Sequence, residues 1–240
     1  MTISLSTHAQ TIKVLTTGAF KPIVAAIVSN YENRTGVKVE VWNDTAGALI
    51  KRIDAGELFD VVVLTPAALK KLTDDGRIAS NRVEILAKVA IGVAVRKGSL
   101  LPNIDTPESF KATVMSAKKV AYIDPLSGGS SGIYLDGLFK QMGIDETVRK
   151  KAVLVKGGLV ALKLESGEAD LAIHQISEIM PVSGAQLVGP LPEAIQNYTV
   201  YAGGVSATSK ALASADAFLT ELSGPDAARI LGEKGMLAVR

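Results

Sequence analysis

The chain has 240 residues, of which 48% are hydrophobic and 21% charged; this composition is typical of a folded globular protein and excludes a disordered or fibrous chain. Its 26 basic and 24 acidic residues leave a net charge of +2, which gives no support for nucleic-acid binding, because that needs a clustered basic surface. The absence of cysteine excludes disulfides and thiolate chemistry, and only two histidines, His8 and His174, argue against a histidine-rich metal site. We therefore expect neither a metal nor a cofactor.

The first ten residues, MTISLSTHAQ, follow neither a helical nor a strand pattern. Thr7-His8-Ala9 precedes Gln10, and small residues at the third and first positions before a junction are the cleavage signature of a secretory signal peptide. The basic part and most of the apolar part of such a signal are not seen in these residues. Residues 1–10 are therefore interpreted as a signal-peptide remnant, which predicts a periplasmic protein; a disordered leader is the alternative. No apolar run of 18 residues indicates a membrane span.

Strand and helix patterns alternate over the first third of the chain. Short apolar runs at 12–16, 37–41 and 59–64 predict strands, and a helical pattern follows each of them. The first helical pattern places apolar residues from Phe20 to Tyr31 on one face and ends at Gly36. This alternation predicts a parallel sheet with helices on both faces.

Two longer apolar runs, at 85–95 and 198–205, flank a middle set of shorter strand and helix patterns. We interpret them as crossovers between two lobes, with residues 11–88 and 202–240 in lobe one and residues 89–201 in lobe two. Ligands of open α/β sheets bind beyond the carboxyl ends of the strands, so a ligand cleft is expected between the lobes. A single continuous sheet is the alternative.

Small and polar residues follow the predicted strands where the next helices begin. The N-terminus of a helix presents unpaired N–H groups and the positive end of the helix dipole, so several of them meeting in one space suit an anion. For any single turn taken alone, helix capping is the favoured explanation. The glycine-rich segment 127–132 either leaves room for the close approach of a ligand or is a flexible tight loop. The turns lie at 16–19, 43–47, 65–66, 124–132, 156–158 and 174–175.

Two side chains beside these turns have two interpretations each. His174 ends an apolar strand and is either a hydrogen-bonded structural residue or part of the site. Trp42 ends another predicted strand and is either core or a wall of the cleft. No Ser/His/Asp set, no paired carboxylates and no phosphate-binding Gly-Lys-Ser/Thr loop stand at a telling spacing, so these patterns alone identify no catalytic residues.

Several short segments occur in an order and spacing typical of one known family. They are VLTTGAF at 14–20, TAGAL at 45–49 with Ile53, GELFDVV at 56–62, Asp124-Pro125, GIY at 132–134, Ala161-Leu162 and ESGEAD at 165–170. From Ile12 to Leu237 the chain thereby resembles the periplasmic molybdate-binding proteins of ABC importers. The resemblance implies a type 2 periplasmic binding fold, with two α/β lobes, each a mixed, mostly parallel sheet flanked by helices, and a ligand cleft between them. We expect a monomer whose partners are a small anion and the membrane subunits of an ABC importer.

The residues that grip the oxyanion in that family differ in this chain. Ala19 and Ala46 stand where the family has a serine in each of the first two turns, and Ser130-Ser131-Gly132 replaces its Pro-Ala-Gly turn. Gly158 takes the place of a valine whose N–H binds the ligand, and Gln175 lies near the position of the tyrosine that closes over it. The rearranged donors favour a larger, planar anion, such as a di- or tricarboxylate, over molybdate.

The turns and the resemblance together predict the ligand contacts. We expect hydroxyl donors from Thr17, Thr45, Thr65 and Ser131, N–H donors from Gly18, Ala46 and Gly158, and a second-lobe contact from His174 or Gln175. The full predicted set is Thr17, Gly18, Ala19, Thr45, Ala46, Thr65, Ser130, Ser131, Gly158, His174 and Gln175.

The sequence favours the first of three functions, and the second is its main alternative. The first is a periplasmic solute-binding protein of an ABC importer that closes two lobes over a small anion. The second is a carboxylate isomerase, because enzymes that isomerise aconitate are similar in sequence to this family; His174 would be its base, since the pKa of histidine lies near neutrality. The third, a cytosolic effector-binding domain of a regulator, calls for a DNA-binding module, which this sequence does not show.

Overall fold

The computed structural model describes residues 10–239, with the backbone alone for Ser80, so the predicted signal remnant or leader lies outside the described residues except for Gln10. Within that range the chain forms ten strands, ten helices and short 3-10 turns at Pro125–Ser127 and Glu193–Ile195. The strands are β1 Thr11–Thr17, β2 Lys38–Asp44, β3 Val61–Leu64, β4 Ile78–Arg96, β5 Val120–Ile123, β6 Ala152–Val155, β7 Leu171–Gln175, β8 Ala185–Pro190, β9 Tyr198–Ser206 and β10 Leu237–Ala238. The helices are α1 Lys21–Thr35, α2 Ala46–Asp54, α3 Pro66–Asp74, α4 Pro107–Ser116, α5 Ser130–Gln141, α6 Asp145–Arg149, α7 Leu162–Glu165, α8 Ile176–Ile179, α9 Leu212–Ser223 and α10 Pro225–Glu233.

The strands lie in the order β2-β1-β3-β9-β4-β7-β5-β6, and β8 and β10 also pair with β4. The predicted parallel pairing of the first three strands is confirmed, because β1 lies between β2 and β3 and is parallel to both. β5 is likewise parallel to β6 and β7. Around β4 and β9 the pairing is antiparallel, so the sheet is mixed.

β4 is shared by two groups of strands. Its residues 78–90 pair with β9, and its residues 91–96 pair with β7 and β8. We call the strands on the first side the first half-sheet (β1–β3, β9, β10) and those on the second side the second half-sheet (β5–β8). The strand order is continuous through β4, as a single sheet would require, but each half-sheet packs its own buried apolar clusters. The lobe boundaries expected from the sequence stay a prediction.

The cores explain why the helices lie where they do. α1 buries Ile23, Val24 and Ile27 against the first half-sheet, and each such side chain contributes about 1.5–3 kcal/mol when fully buried. Tyr31 packs edge-on against Phe218 of α9, with ring centroids 5.0 Å apart. The helix ends at Gly36, whose φ of 71° favours glycine.

The structure departs from the sequence expectations at three short elements and one side chain. α6, α8 and β10 are too short to give a periodic pattern, and none of them was expected. Trp42 is neither core nor cleft wall: it is 52% exposed, because β2 is the edge strand of the first half-sheet. The Lys13 ammonium lies 5.7 Å from its ring centroid.

Candidate functional site

A cavity of about 40 Å³ lies where the carboxyl ends of strands from both half-sheets face each other. β1, β2 and β3 contribute from the first half-sheet, and β5 and β7 from the second. All the predicted contact residues line this cavity, so the structure brings them together; their role as ligand contacts stays a prediction. The lining residues not predicted as contacts are Asn43, Asp44, Ile123, Gly129, Glu178 and Tyr201.

The N-termini of four helices border the cavity. α2 and α3 begin there after the N-caps Thr45 and Thr65, whose hydroxyls accept hydrogen bonds from Ala48 N–H and Ala68 N–H. α5 begins with Ser130 after Gly129, without a side-chain cap, and the turn before α1 supplies the lining of the cavity at 17–19. Since the first N–H groups of a helix have no intrahelical partner, these ends present donors and positive dipole ends to the cavity. The turns that cap these helices therefore also present hydrogen-bond donors to the cavity.

Thr45 also connects the two half-sheets. Its Oγ1 donates a hydrogen bond to the Ser127 carbonyl at 2.5 Å, so its only proton is engaged in this structure rather than offered to a ligand, which differs from our expectation. Next to it, Gly47 N–H donates to the Gly128 carbonyl at 3.2 Å. A Cβ on Gly47 would lie 2.8 Å from Gly128 Cα, so only glycine permits this approach.

Ser130 is the junction of a hydrogen-bond network on the second side. Its Oγ accepts one hydrogen bond from Gln175 Nε2 at 2.9 Å and another from Thr199 Oγ1 at 3.4 Å. A serine hydroxyl has two acceptor sites and one proton. Both acceptor sites of Ser130 are therefore used within the protein, and its hydroxyl also lies beside that of Tyr201.

His174 and Glu178 form a buried pair at the cavity wall. Nε2 of His174 lies 3.3 Å from Oε2 of Glu178, and the residues are 1% and 6% exposed. Burial lowers the pKa of His174 and raises the pKa of Glu178, because a low-dielectric environment disfavours both charged forms. The pair is therefore uncharged near neutral pH, with the proton on the Glu178 carboxyl.

Gly18 makes room for Glu178. A Cβ at Gly18 would lie 2.4 Å from Glu178 Oε1, so this carboxyl oxygen is packed against the backbone of the turn before α1. The pair thus joins the end of β7 and the short helix α8 to the turn between β1 and α1. Sequence analysis singled out His174 but missed Glu178; the separation of four residues is a weak signal, because β7 ends between them.

Tyr201 of β9 lies beside this pair and is 2% exposed. Burial and the neighbouring Glu178 raise the pKa of its hydroxyl, whereas the nearby side chains of Gln175, Ser130 and Thr17 act in the opposite direction. It remains protonated over the working pH range. No sequence signal marked Tyr201, because it stands inside an apolar strand.

Three buried side-chain atoms have no hydrogen-bond partner within residues 10–239: Thr17 Oγ1, His174 Nδ1 and Ser177 Oγ. Thr17 and His174 line the cavity. An unsatisfied buried polar atom costs about 1–3 kcal/mol, so these atoms gain from a polar guest.

The described part of the chain contains no cluster of three or more His, Asp or Glu side chains arranged to hold a metal ion. Nor does any helix in it have the length and apolar character needed to cross a membrane.

Known proteins resemble this chain in sequence and in fold. An aconitate isomerase from Pseudomonas sp. is 33% identical over 235 residues, which cover 95% of this chain and 88% of that protein. The periplasmic molybdate-binding protein of Azotobacter vinelandii has a TM-score of 0.78 at 18% identity, covering 95% of this chain and 100% of that one. The sulfate-binding protein of Mycobacterium tuberculosis has a TM-score of 0.76 at 15% identity, and the match covers 96% of this chain and 87% of that one. At these identities, the two solved structures show the fold alone.

Residues 12–237 match the family described as bacterial extracellular solute-binding protein. This match and the solved structures confirm the predicted resemblance and the two-lobed periplasmic-binding fold. The protein therefore belongs to the bacterial extracellular solute-binding protein family.

Proposed function

We propose that the protein is a periplasmic isomerase that binds a small unsaturated polycarboxylate of the aconitate class and moves a proton along it. The observation that carries this proposal is the buried, uncharged His174–Glu178 pair at the wall of a cavity in which hydrogen-bond donors converge. The 33% identical aconitate isomerase supports the same substrate class. The sequence alone favours a solute-binding protein. The buried pair favours the isomerase instead.

The donors around the cavity suit carboxylates. Among the described residues that line it there is no lysine or arginine, so a guest's negative charge would be met by helix N-termini and by hydroxyls such as those of Ser130 and Thr65. Such donors are spread over both half-sheets. A guest with several carboxylates can engage both sides at once, and closure around it follows from its differential contacts with the two.

The buried pair suits proton transfer better than binding alone. A carboxyl facing an anion repels it when ionised, so a simple receptor gains little from Glu178, whereas an acid-base catalyst needs such a group. In aconitate, a methylene lies between a carboxylate and the carbon–carbon double bond. Removal of one methylene proton gives an allylic carbanion. Addition of a proton to the far allylic carbon then shifts the double bond. The reaction consumes no reagent, because the group that removes one proton also delivers one and is regenerated.

The test is an incubation of the purified protein with cis- or trans-aconitate in D2O, followed by NMR. We expect interconversion of the two isomers with deuterium incorporated at the methylene carbon. Binding without conversion would contradict the isomerase and leave a receptor. Protein omitted from an identical sample gives the background rate.

A second candidate is a solute-binding protein of an ABC importer that takes the same class of anion. Membership of the solute-binding family favours it, as does the direct contact of the two half-sheets between Thr45 and Ser127. A ligand at about 100 times its Kd stabilises the folded state by roughly 2.7 kcal/mol. A thermal-shift series of carboxylates and oxyanions therefore reports binding. Stabilisation by a carboxylate without deuterium uptake favours this candidate.

A further inference from the structure

We propose that Glu178, and not His174, is the catalytic residue that moves the proton, with His174 as a positioning residue. This inference rests on the isomerase function proposed above. It replaces the sequence expectation that His174 is the base.

Glu178 borders the ligand space on two sides. Its side chain lines both the cavity and an adjoining groove between α1, α8 and the end of α10. Its Oε2 is held by His174, while its Oε1 lies against the backbone of Gly18, next to the donors of the first turn. Oε1 is thus the oxygen left for a guest that is bound at this turn.

His174 is less suited to direct contact. Its residue is 1% exposed and belongs to β7, where it pairs in register with Gly92 of β4, so the strand fixes its position. Its Nε2 faces Glu178. The imidazole therefore fixes the carboxyl group and can share the proton on Oε2, which is the task of a positioning residue.

The proposed step balances without an oxidant or reductant. Oε1 of the ionised Glu178 takes a proton from the methylene of the substrate. The electron pair of the broken C–H bond spreads over the three allylic carbons. The Oε1–H then exchanges its proton with water and delivers a proton to the far carbon, where a new C–H bond forms and the double bond shifts. Glu178 is again a carboxylate at the end of the step.

This step predicts that turnover rises with pH as Glu178 ionises. Burial raises the pKa at which Glu178 ionises, and several titratable or charged groups surround it. They are His174 on β7, Tyr201 on β9, Asp44 at the end of β2 across the cavity, Lys21 on α1, and Glu233 and Lys234 at the end of α10 across the groove.

The experiment compares Glu178→Gln, His174→Gln and wild type, with Glu146→Gln, an exposed glutamate on α6, as the matched control. Deuterium uptake into trans-aconitate is followed by NMR across the pH range, and binding of trans-aconitate by calorimetry. For Glu178→Gln we expect uptake to fall by about 10²–10⁴-fold with binding retained. The control is expected to match wild type.

For His174→Gln we expect measurable uptake whose pH midpoint moves to lower pH, because an amide N–H donates to the carboxylate and favours its ionised form. If Glu178→Gln binds poorly because it misfolds, Glu178→Asp serves in its place. It keeps the carboxyl group, and we expect slow but detectable uptake.

Three results would overturn the inference. The first is deuterium uptake in Glu178→Gln within about tenfold of wild type. The second is complete loss of uptake in His174→Gln while Glu178→Gln still shows uptake. The third is absence of uptake in Glu178→Asp. These outcomes leave the isomerase function intact. Absence of uptake in wild type would instead defeat the proposed function itself.

Discussion

Glu178 ties the stability of the fold to pH. Its pKa is raised by burial, so its contribution to stability is complete below the ordinary pKa of glutamate and is lost as pH rises toward the raised pKa. His174 acts in the opposite sense: its pKa is lowered, so its contribution is lost as pH falls below the ordinary histidine range. The two together place the most stable pH between these limits.

Glu178→Gln is expected to remove the loss of folding stability that wild type shows as pH rises. An amide cannot ionise, so the variant avoids burying a charge and gains thermal stability over wild type, and this gain grows as pH rises from about 5 to 9. Melting temperatures measured across that range provide the check, with Glu146→Gln as the reference. A gain that stays constant across this range would show that the buried carboxyl is ionised throughout.

The residues at the site were predictable to different degrees for physical reasons. Thr17 ends β1, Thr65 follows β3 and Ser131 lies in the first turn of α5, so the pattern of small polar residues between apolar runs and helical patterns is enough to place them. Glu178 follows a strand too, but it lies in a helix of four residues that has no periodicity. Tyr201 occupies an apolar strand whose sequence is indistinguishable from core.

At the scale of elements, α2 and the turn at 125–128 hold the half-sheets together through main chain. Gly47→Ala is expected to prevent this contact, because the new Cβ would lie 2.8 Å from Gly128 Cα. We expect a more open protein with a larger radius of gyration in X-ray scattering and faster ligand dissociation.

Gly137→Ala in α5 is the matched control. It also replaces a helical glycine, which favours the helix by about 0.4–1 kcal/mol, but its Cβ meets no heavy atom within 4 Å. The difference between the two variants isolates the contact. Equal scattering and equal dissociation rates for both would contradict the role given to Gly47.

Strands were predicted correctly where the sequence has a long apolar run. The prediction failed where strand pairing holds a polar segment in the sheet. The expected strand at 85–95 extends back to Ile78 as β4, although residues 79–84 are largely polar. That segment is held by pairing with β9, and its register is irregular between Ile78 and Val83. Such pairing depends on residues more than a hundred positions away, which no local pattern contains.

At the scale of the whole molecule, β4 pairs with strands of both half-sheets, so we expect the two to unfold as one cooperative structure. Phe139 lies in the core of the second half-sheet and Phe218 in that of the first, both buried. Truncation of either to alanine is expected to cost about 3–5 kcal/mol and to lower one shared melting transition. Calorimetry with two separated transitions, only one of them shifted by each variant, would contradict this.

The absence of lysine and arginine from the described lining of the cavity has a consequence for the conditions in which the protein works. Fixed main-chain dipoles in a closed space are little affected by dissolved ions, whereas exposed charges lose their attraction as ionic strength rises. Affinity for the guest is therefore expected to stay nearly constant from dilute to concentrated salt solution.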